Sequence, residues 1–247
     1  MLRIASYNIR KSVGTDWRRR PHEILEVLKE IDADVVALQE VDRSFGSRLS
    51  SLPPKTIQEQ THYRPLPLGM FAGRLGWYGN AILVKDRITL LRTDRFKLPA
   101  LEPRGAAVAE LAVGDGALRV VAMHLGLLGL WRRRQVRAVL EHLKATEHPM
   151  PTVMLGDFNE WNPEGRCLKL FARNHNLLKP GPSFPSRMPL GALDRIVLSR
   201  DIEVVETAVH KSTRSRGASD HLPVWADIVF PGSETTERPS SPLQSHA

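Results

Sequence analysis

Several apolar runs in this chain stop at a side chain that carries a ligand atom rather than at a turn residue. Tyr7 leads to Asn8, Gln39 to Glu40, Met123 to His124, and Leu155-Gly156 to Asp157-Phe158-Asn159, while Ser219-Asp220-His221 opens the last run. Short continuous apolar runs read as strands covered on both faces. Strands that keep ending in Asn, Glu, His and Asp place one polar cluster at one end of a packed sheet. Such a cluster suits a hard metal ion and a phosphate.

The 247 residues, 42% of them hydrophobic, are enough for one large core and suit a single two-sheet domain. No run reaches the roughly 18 apolar residues of a transmembrane helix. The N-terminus enters a strand pattern at once, without the layout of a signal peptide. The single cysteine, Cys167, excludes an internal disulfide and fits a reducing compartment, so a cytoplasmic location is expected; a monomer is expected as well. The net charge of +8 suits phosphate-bearing partners. An arginine-rich chain from a GC-rich genome would look the same.

The pattern predicts strands over 2–9 and 35–38, with a helix between them. That helix starts at Pro21 and has Ile24, Leu25, Leu28 and Ile31 on one face. Residues 43–78 read as loop with one helical turn near Lys55–Gln60. Strands follow near 80–85, 88–93, 104–113 and 118–124, with Gly114-Asp115-Gly116 as a hairpin signal. A helix is predicted over 131–145, a strand over Thr152–Leu155, and another helix from Pro163. The proline- and glycine-rich stretch 179–191 reads as a loop on the active side. Strands return near 194–199, 202–209 and 222–230. Residues 1–230 form the expected domain, and 231–247 read as a disordered tail.

Without a cysteine cluster or a His-x-x-x-His pair, zinc is poorly supported; carboxylate and amide oxygens suit Mg²⁺ or Mn²⁺. Mg²⁺ takes only one or two protein carboxylates, and Glu40 is the best single candidate. Asp157 and Asn159, at i and i+2, face one side if extended. One could orient water while the other donates to a phosphoryl oxygen. Asp194 could hold the far N–H of His221, fixing its tautomer. His124 is a second imidazole, available as acid or as donor to developing charge. Taken singly, each of these residues has a plainer reading as a turn or structural group; the combination carries the argument.

The chain resembles the endonuclease/exonuclease/phosphatase superfamily of DNase I-like proteins over residues 2 to about 230. The resemblance rests on Ser6-Tyr7-Asn8-Ile9, Leu38-Gln39-Glu40-Val41, Tyr78-Gly79-Asn80-Ala81, Pro103-Arg104-Gly105, His124-Leu125, Gly156-Asp157-Phe158-Asn159, Leu193-Asp194-Arg195-Ile196 and Ser219-Asp220-His221-Leu222-Pro223. It implies a four-layer α/β/β/α sandwich with two central mixed sheets. It implies Glu40 as main metal ligand, with Asn8 and Asp220 in or next to the metal shell. It further implies a His221–Asp194 dyad, Asp157 and Asn159 positioning water and phosphate, and His124 acting on the leaving side. Asn80 and Arg104 would bind phosphate or brace the site. His221 is favoured as base or transition-state donor, with Asp157 orienting water.

Substrate is less legible. Arg18-Arg19-Arg20, Arg132-Arg133-Arg134, and Arg214 with Arg216 flank loops on the expected catalytic side and suit a nucleic acid. The leading expectation is therefore a metal-dependent nuclease on DNA or RNA. The apolar loop Leu125–Trp131 pulls toward a phosphodiesterase or phosphatase on lipid headgroups or small phosphoesters, with peripheral contact at an anionic membrane. A buried connection explains that loop equally well. The third reading is a silent binding module on the same fold.

Overall fold

The computed structural model describes residues 1–42, 50–69, 74–146 and 148–233. The first half runs β1 (Leu2–Asn8), α1 (Pro21–Ile31), β2 (Val35–Gln39), α2 (Pro54–Gln60), β3 (Tyr63–Pro65), β4 (Ala81–Lys85), β5 (Thr89–Leu98), β6 (Arg104–Val113) and β7 (Gly116–His124). The second half runs α3 (Gly129–Lys144), β8 (Thr152–Asp157), α4 (Arg166–Ala172), β9 (His175–Leu177), β10 (Asp194–Ser199), β11 (Glu203–Val209), α5 (Thr213–Ala218) and β12 (Val224–Val229). Two six-stranded sheets form, in the orders β11-β12-β1-β2-β4-β3 and β5-β6-β7-β8-β10-β9. Both are mixed: β1 pairs parallel with β2 and β7 parallel with β8, while the other pairs are antiparallel.

Side-chain parity builds the layers. Alternate residues of a strand point to opposite faces. Leu2 and Ile4 of β1 and Val35 and Ala37 of β2 meet Val120, Ala122, Val153, Leu155 and Ile196 of the other sheet in a central core. The intervening residues Ala5, Tyr7, Val36 and Leu38 turn outward and pack on Ile24, Leu25, Leu28 and Ile31 of α1. Val121, Met123 and Met154 do the same against Val136 and Val139 of α3 and Leu168 and Phe171 of α4. The result is the expected α/β/β/α sandwich. Each fully buried Leu, Ile or Phe stabilises it by about 1.5–3 kcal/mol.

The same parity puts the strand-end polar residues in one place. Asn8, His124, Asp157 and Asp194 continue the central faces of β1, β7, β8 and β10. β10 runs antiparallel to β8, so Asp194 at its start is paired with Asp157 at the other strand's end. β7 and β8 run parallel, which sets His124 level with Asp157. That approach needs Gly156: a Cβ there would stand 1.8 Å from the Met123 carbonyl oxygen. Gly156→Ala is therefore expected to cost about 3 kcal/mol or more. A urea midpoint equal to that of the parent chain would contradict it.

Several elements differ from the sequence expectation. β3, β9 and α5 were not anticipated. The two strands have three residues each at sheet edges, too few to display alternation. α5, with sequence Thr-Arg-Ser-Arg-Gly-Ala, has no apolar period and rests on a Ser212–Ser215 capping box. β5 continues to Leu98, because β6 offers a partner along its whole length. α4 starts at Arg166 rather than Pro163. Asn162 first takes a hydrogen bond from Glu164 on its side chain and one from the Gly165 amide on its carbonyl, which turns the chain there. Of the expected tail, Gly232 and Ser233 are held by the β6–β7 hairpin and the end of β12: Asp115 donates to the Gly232 carbonyl, and Ser233 to that of Phe230. Residues 234–247, and parts of the expected 43–78 loop, lie outside the described residues.

Candidate active site

Asp157 stands at the centre of the strand-end cluster. Its Oδ2 accepts from the Asn8 amide at 3.0 Å, and Nε2 of His124 and of His221 lie 3.4 and 3.7 Å from the same oxygen. Its Oδ1 accepts from the Asn159 backbone N–H at 2.9 Å. Burial works against its charge, but the two imidazoles outweigh it, with the two hydrogen bonds assisting. The carboxyl is held below its usual range and stays ionised.

The two imidazoles are set to opposite states. His221 Nδ1 lies 2.8 Å from Asp194 Oδ2, which also accepts from Ser183 Oγ at 2.5 Å. Burial works to lower the His221 pKa. The Asp194 charge and hydrogen bond, with Asp157 and Asp220, override it and raise it to about 10. His221 is therefore an imidazolium at neutral pH, with Phe184 tilted against its ring at 4.7 Å. His124 is pushed down, first by burial and then by the Arg104 guanidinium. Arg104 can only donate, so Nδ1 of His124, 3.0 Å away, accepts. The His124 proton then sits on Nε2, facing Asp157. One carboxylate thus lies between a charged and a neutral imidazole.

Two further carboxylates form the outer, partly exposed side. Glu40 takes a hydrogen bond from Asn8 at 3.4 Å and has Lys11 Nζ at 3.4 Å from its other oxygen. Its pKa is lowered: burial opposes its charge, while the charge that His124 carries at acid pH and that of Lys11 favour it. Asp220 lies 3.2 Å from Arg10 Nε. Its pKa is raised, chiefly by burial and further by the Glu40 charge, against the pull of His221 and Arg10. Among the described residues no group of three or more His, Cys, Asp and Glu forms a ready metal cage. Two oxygen donors that repel one another, each met by one cationic side chain, fit a hard divalent ion that keeps most of its coordination for water and substrate. Glu40 and Asp220 would hold it, with Asn8 alongside.

One sequence expectation changes and another narrows. Asn159 does not extend from Asp157. It sits at φ 51°, and its amide donates to the Leu125 carbonyl at 2.9 Å, next to His124 Nε2 at 3.1 Å. That amide anchors the loop behind His124. Asn80 is fully buried, and its amide donates to the Gly105 carbonyl at 3.0 Å and to Trp77 at 3.3 Å. It braces β4 against β6, one of the two roles the resemblance implies for it. Arg104 stays at the site through His124, its other arm on Glu102 at 3.1 Å.

The sequence reading did not single out Ser183, Arg10 or Lys11. Arg10 and Lys11 lie two and three residues beyond the Asn8 strand end, which was the available signal. Ser183 had none, because its link to Asp194 depends on how the 179–191 loop folds. The arginine clusters also divide. Arg132 is buried against Glu160 at 3.2 Å, and Arg214 pairs with Glu23 and Glu30 at 3.1 Å each. Arg20 is tied to Asp16 at 2.5 Å.

The sequence profile of the Endonuclease/Exonuclease/phosphatase family matches residues 5–221. An endonuclease/exonuclease/phosphatase structure from Bacteroides vulgatus aligns with TM-score 0.73 and 19% identity, covering 93% of this chain and 98% of that one. A Bacteroides thetaiotaomicron mannosyl-6-phosphatase aligns with TM-score 0.71 and 20% identity over 93% and 100%. TDP2 of D. rerio, complexed with single strand DNA product, aligns with TM-score 0.69 and 18% identity over 93% and 99%. At these identities the similarity shows the fold. A curated protein, the 26S proteasome regulatory subunit rpn-1 of Neurospora crassa, is 46% identical over 60 residues. That stretch is 24% of this chain and spans only 7% of the relative's length.

Proposed function

This chain belongs to the endonuclease/exonuclease/phosphatase family, and we propose that within it the protein acts as a divalent-metal-dependent phosphodiester hydrolase. The observation that carries the reading is one ionised carboxylate, Asp157, set between a charged and a neutral imidazole beside two oxygen-donor carboxylates. Mg²⁺ or Mn²⁺ bound by Glu40 and Asp220 would supply Lewis-acid charge to the phosphoryl oxygens. Asp157 accepts a hydrogen bond from the attacking water and takes its proton. Asn8 keeps that carboxylate aimed. His221, already protonated, donates to charge developing on a phosphoryl oxygen, held in line by Asp194 and Ser183. His124 offers a second N–H from the opposite side. Groups whose environments drive their proton affinities apart in this way divide into acid and base roles. Here His221 serves as donor and not as base.

A nuclease is the second reading, supported by Arg18, Arg19, Arg187 and Arg216, which are exposed and make no ion pair among the described residues. The test is hydrolysis by the purified protein with Mg²⁺, Mn²⁺ or EDTA. The panel is supercoiled DNA, single-stranded RNA, phospholipid vesicles, bis-p-nitrophenyl phosphate and the p-nitrophenyl monoester. Diester turnover that EDTA and Asp157→Asn both abolish is the expected result. Turnover of the monoester alone, or turnover indifferent to EDTA, would refute it.

A further inference from the structure

Exposed apolar side chains are concentrated around the mouth of the site. Leu127, Leu128, Leu130, Trp161, Met188 and Leu190 are each at least half exposed. They stand on three segments that leave the catalytic end: the loop after His124 with the first turn of α3, the loop after Asn159, and the loop between Phe184 and Gly191. The loops adjoin one another. Gly191 lies so close to Trp161 that a Cβ there would come within 2.8 Å of its ring. Trp161 follows Glu160, whose carboxylate pairs with Arg132.

The leucine loop is held by a buried polar clamp. Arg132 donates to the carbonyls of Gly126 and Leu127, and Gln135 accepts from the Gly126 N–H at 2.8 Å. The backbone beneath Leu127 is therefore fixed from inside while the leucine side chains point into water. Contiguous exposed apolar surface on a folded domain marks a contact site.

Exposed arginines continue the rim. Arg187 immediately precedes Met188 and donates to Thr15 at 3.0 Å, joining this loop to the segment that carries Arg18 and Arg19. Ser186 of the same loop donates to the Arg216 carbonyl at 3.1 Å. Arg134 stacks on Trp131 within one turn of Leu130. None of these five arginines forms an ion pair among the described residues.

We propose that this rim is a docking surface for an anionic lipid bilayer. It would bring the catalytic mouth down onto phosphodiester headgroups. The inference deepens the phosphodiesterase reading and rests on it only for what happens after docking. Aliphatic side chains bordered by arginines match the interface of an acidic membrane, where apolar groups enter the acyl boundary and cations meet headgroups. A nucleic acid would use aromatic planes and cations and leave leucines and methionine without a partner. A second copy would bring arginines against arginines across a twofold axis.

The test is sedimentation of the full chain with vesicles of phosphatidylcholine, alone or with about one third phosphatidylglycerol, in EDTA. Binding only to the anionic vesicles is expected. The triple change Leu127→Ser, Leu128→Ser and Leu130→Ser should weaken it by about tenfold or more. Arg18→Gln and Arg187→Gln should each weaken it by about fivefold at low salt. Among the described residues the three leucines are exposed and lie outside the core clusters, so far-ultraviolet circular dichroism and bis-p-nitrophenyl phosphate turnover should match the parent. Equal binding by the triple variant, or binding to single-stranded DNA but to neither vesicle, would overturn the proposal. Vesicle binding by a chain that hydrolyses no diester would leave docking standing and remove the phosphodiesterase reading instead.

Discussion

Glu40→Gln is expected to lower metal-dependent phosphodiester turnover by about 10³-fold, since the charge of a bound metal contributes several kcal/mol to the transition state. The fold should survive. Glu40 lies at the partly exposed mouth, and among the described residues its side-chain oxygens pair with Asn8 and Lys11, so the amide is not left alone in the core. The replacement also removes the anion that raises the pKa of Asp220 beside burial. Calorimetric titration of Mn²⁺ should show weakened binding, and raising the metal concentration should recover part of the rate. A variant that turns over normally at low metal concentration would remove Glu40 from the metal site.

The second large effect is expected at Asp194→Asn. An amide in place of the carboxylate removes the charge that keeps His221 an imidazolium, and losing one preorganised donor to developing oxyanion charge costs about 10²–10³ in rate. Asp194 accepts from Ser183 and His221, and the change would leave His221 without the charge that most opposes its desolvation. Stability should respond with a definite pH signature. The folded-state pKa of His221, about 10, is raised above the roughly 6.5 of an unfolded chain. Its contribution is therefore complete below about pH 6.5 and is lost as pH rises through about 10. Urea midpoints of the parent chain and Asp194→Asn should differ most between about pH 5 and 6.5 and converge toward pH 10. A difference that grows with pH would show that His221 is not held protonated by Asp194.

Much of the site was legible because strand parity is a local property. Asn8, His124 and Asp157 each terminate an apolar run, so their common placement follows once the runs are strands of one sandwich. Asp194 and His221 were legible as a pair only through the chemistry an imidazole needs, since 27 residues separate them. Short edge elements such as β3 and β9 were not legible, because three residues carry too little pattern and their pairing comes from a neighbouring strand. Asn80 and Asn159 could not be assigned from type alone. An amide donor serves a phosphate or a carbonyl equally well, and here backbone carbonyls are within reach.

The family resemblance implied the four-layer order of the sandwich; the residues themselves determined a two-sheet domain of buried strands and amphipathic helices, the polar residues that end those strands, and the oxygen-rich chemistry of that end. These follow from hydrophobic period and residue type, which act over a few residues. Only the tertiary structure decided the charge states of the two imidazoles, which depend on Asp194 and Arg104 arriving from distant strands. It also separated buried, paired arginines such as Arg132 from exposed Arg18 and Arg187, and turned Leu127 and Leu128 outward. Burial and pairing are properties of the packed surface. Neighbours brought together by the fold set them, and the local pattern that forms a strand or helix carries no record of those neighbours.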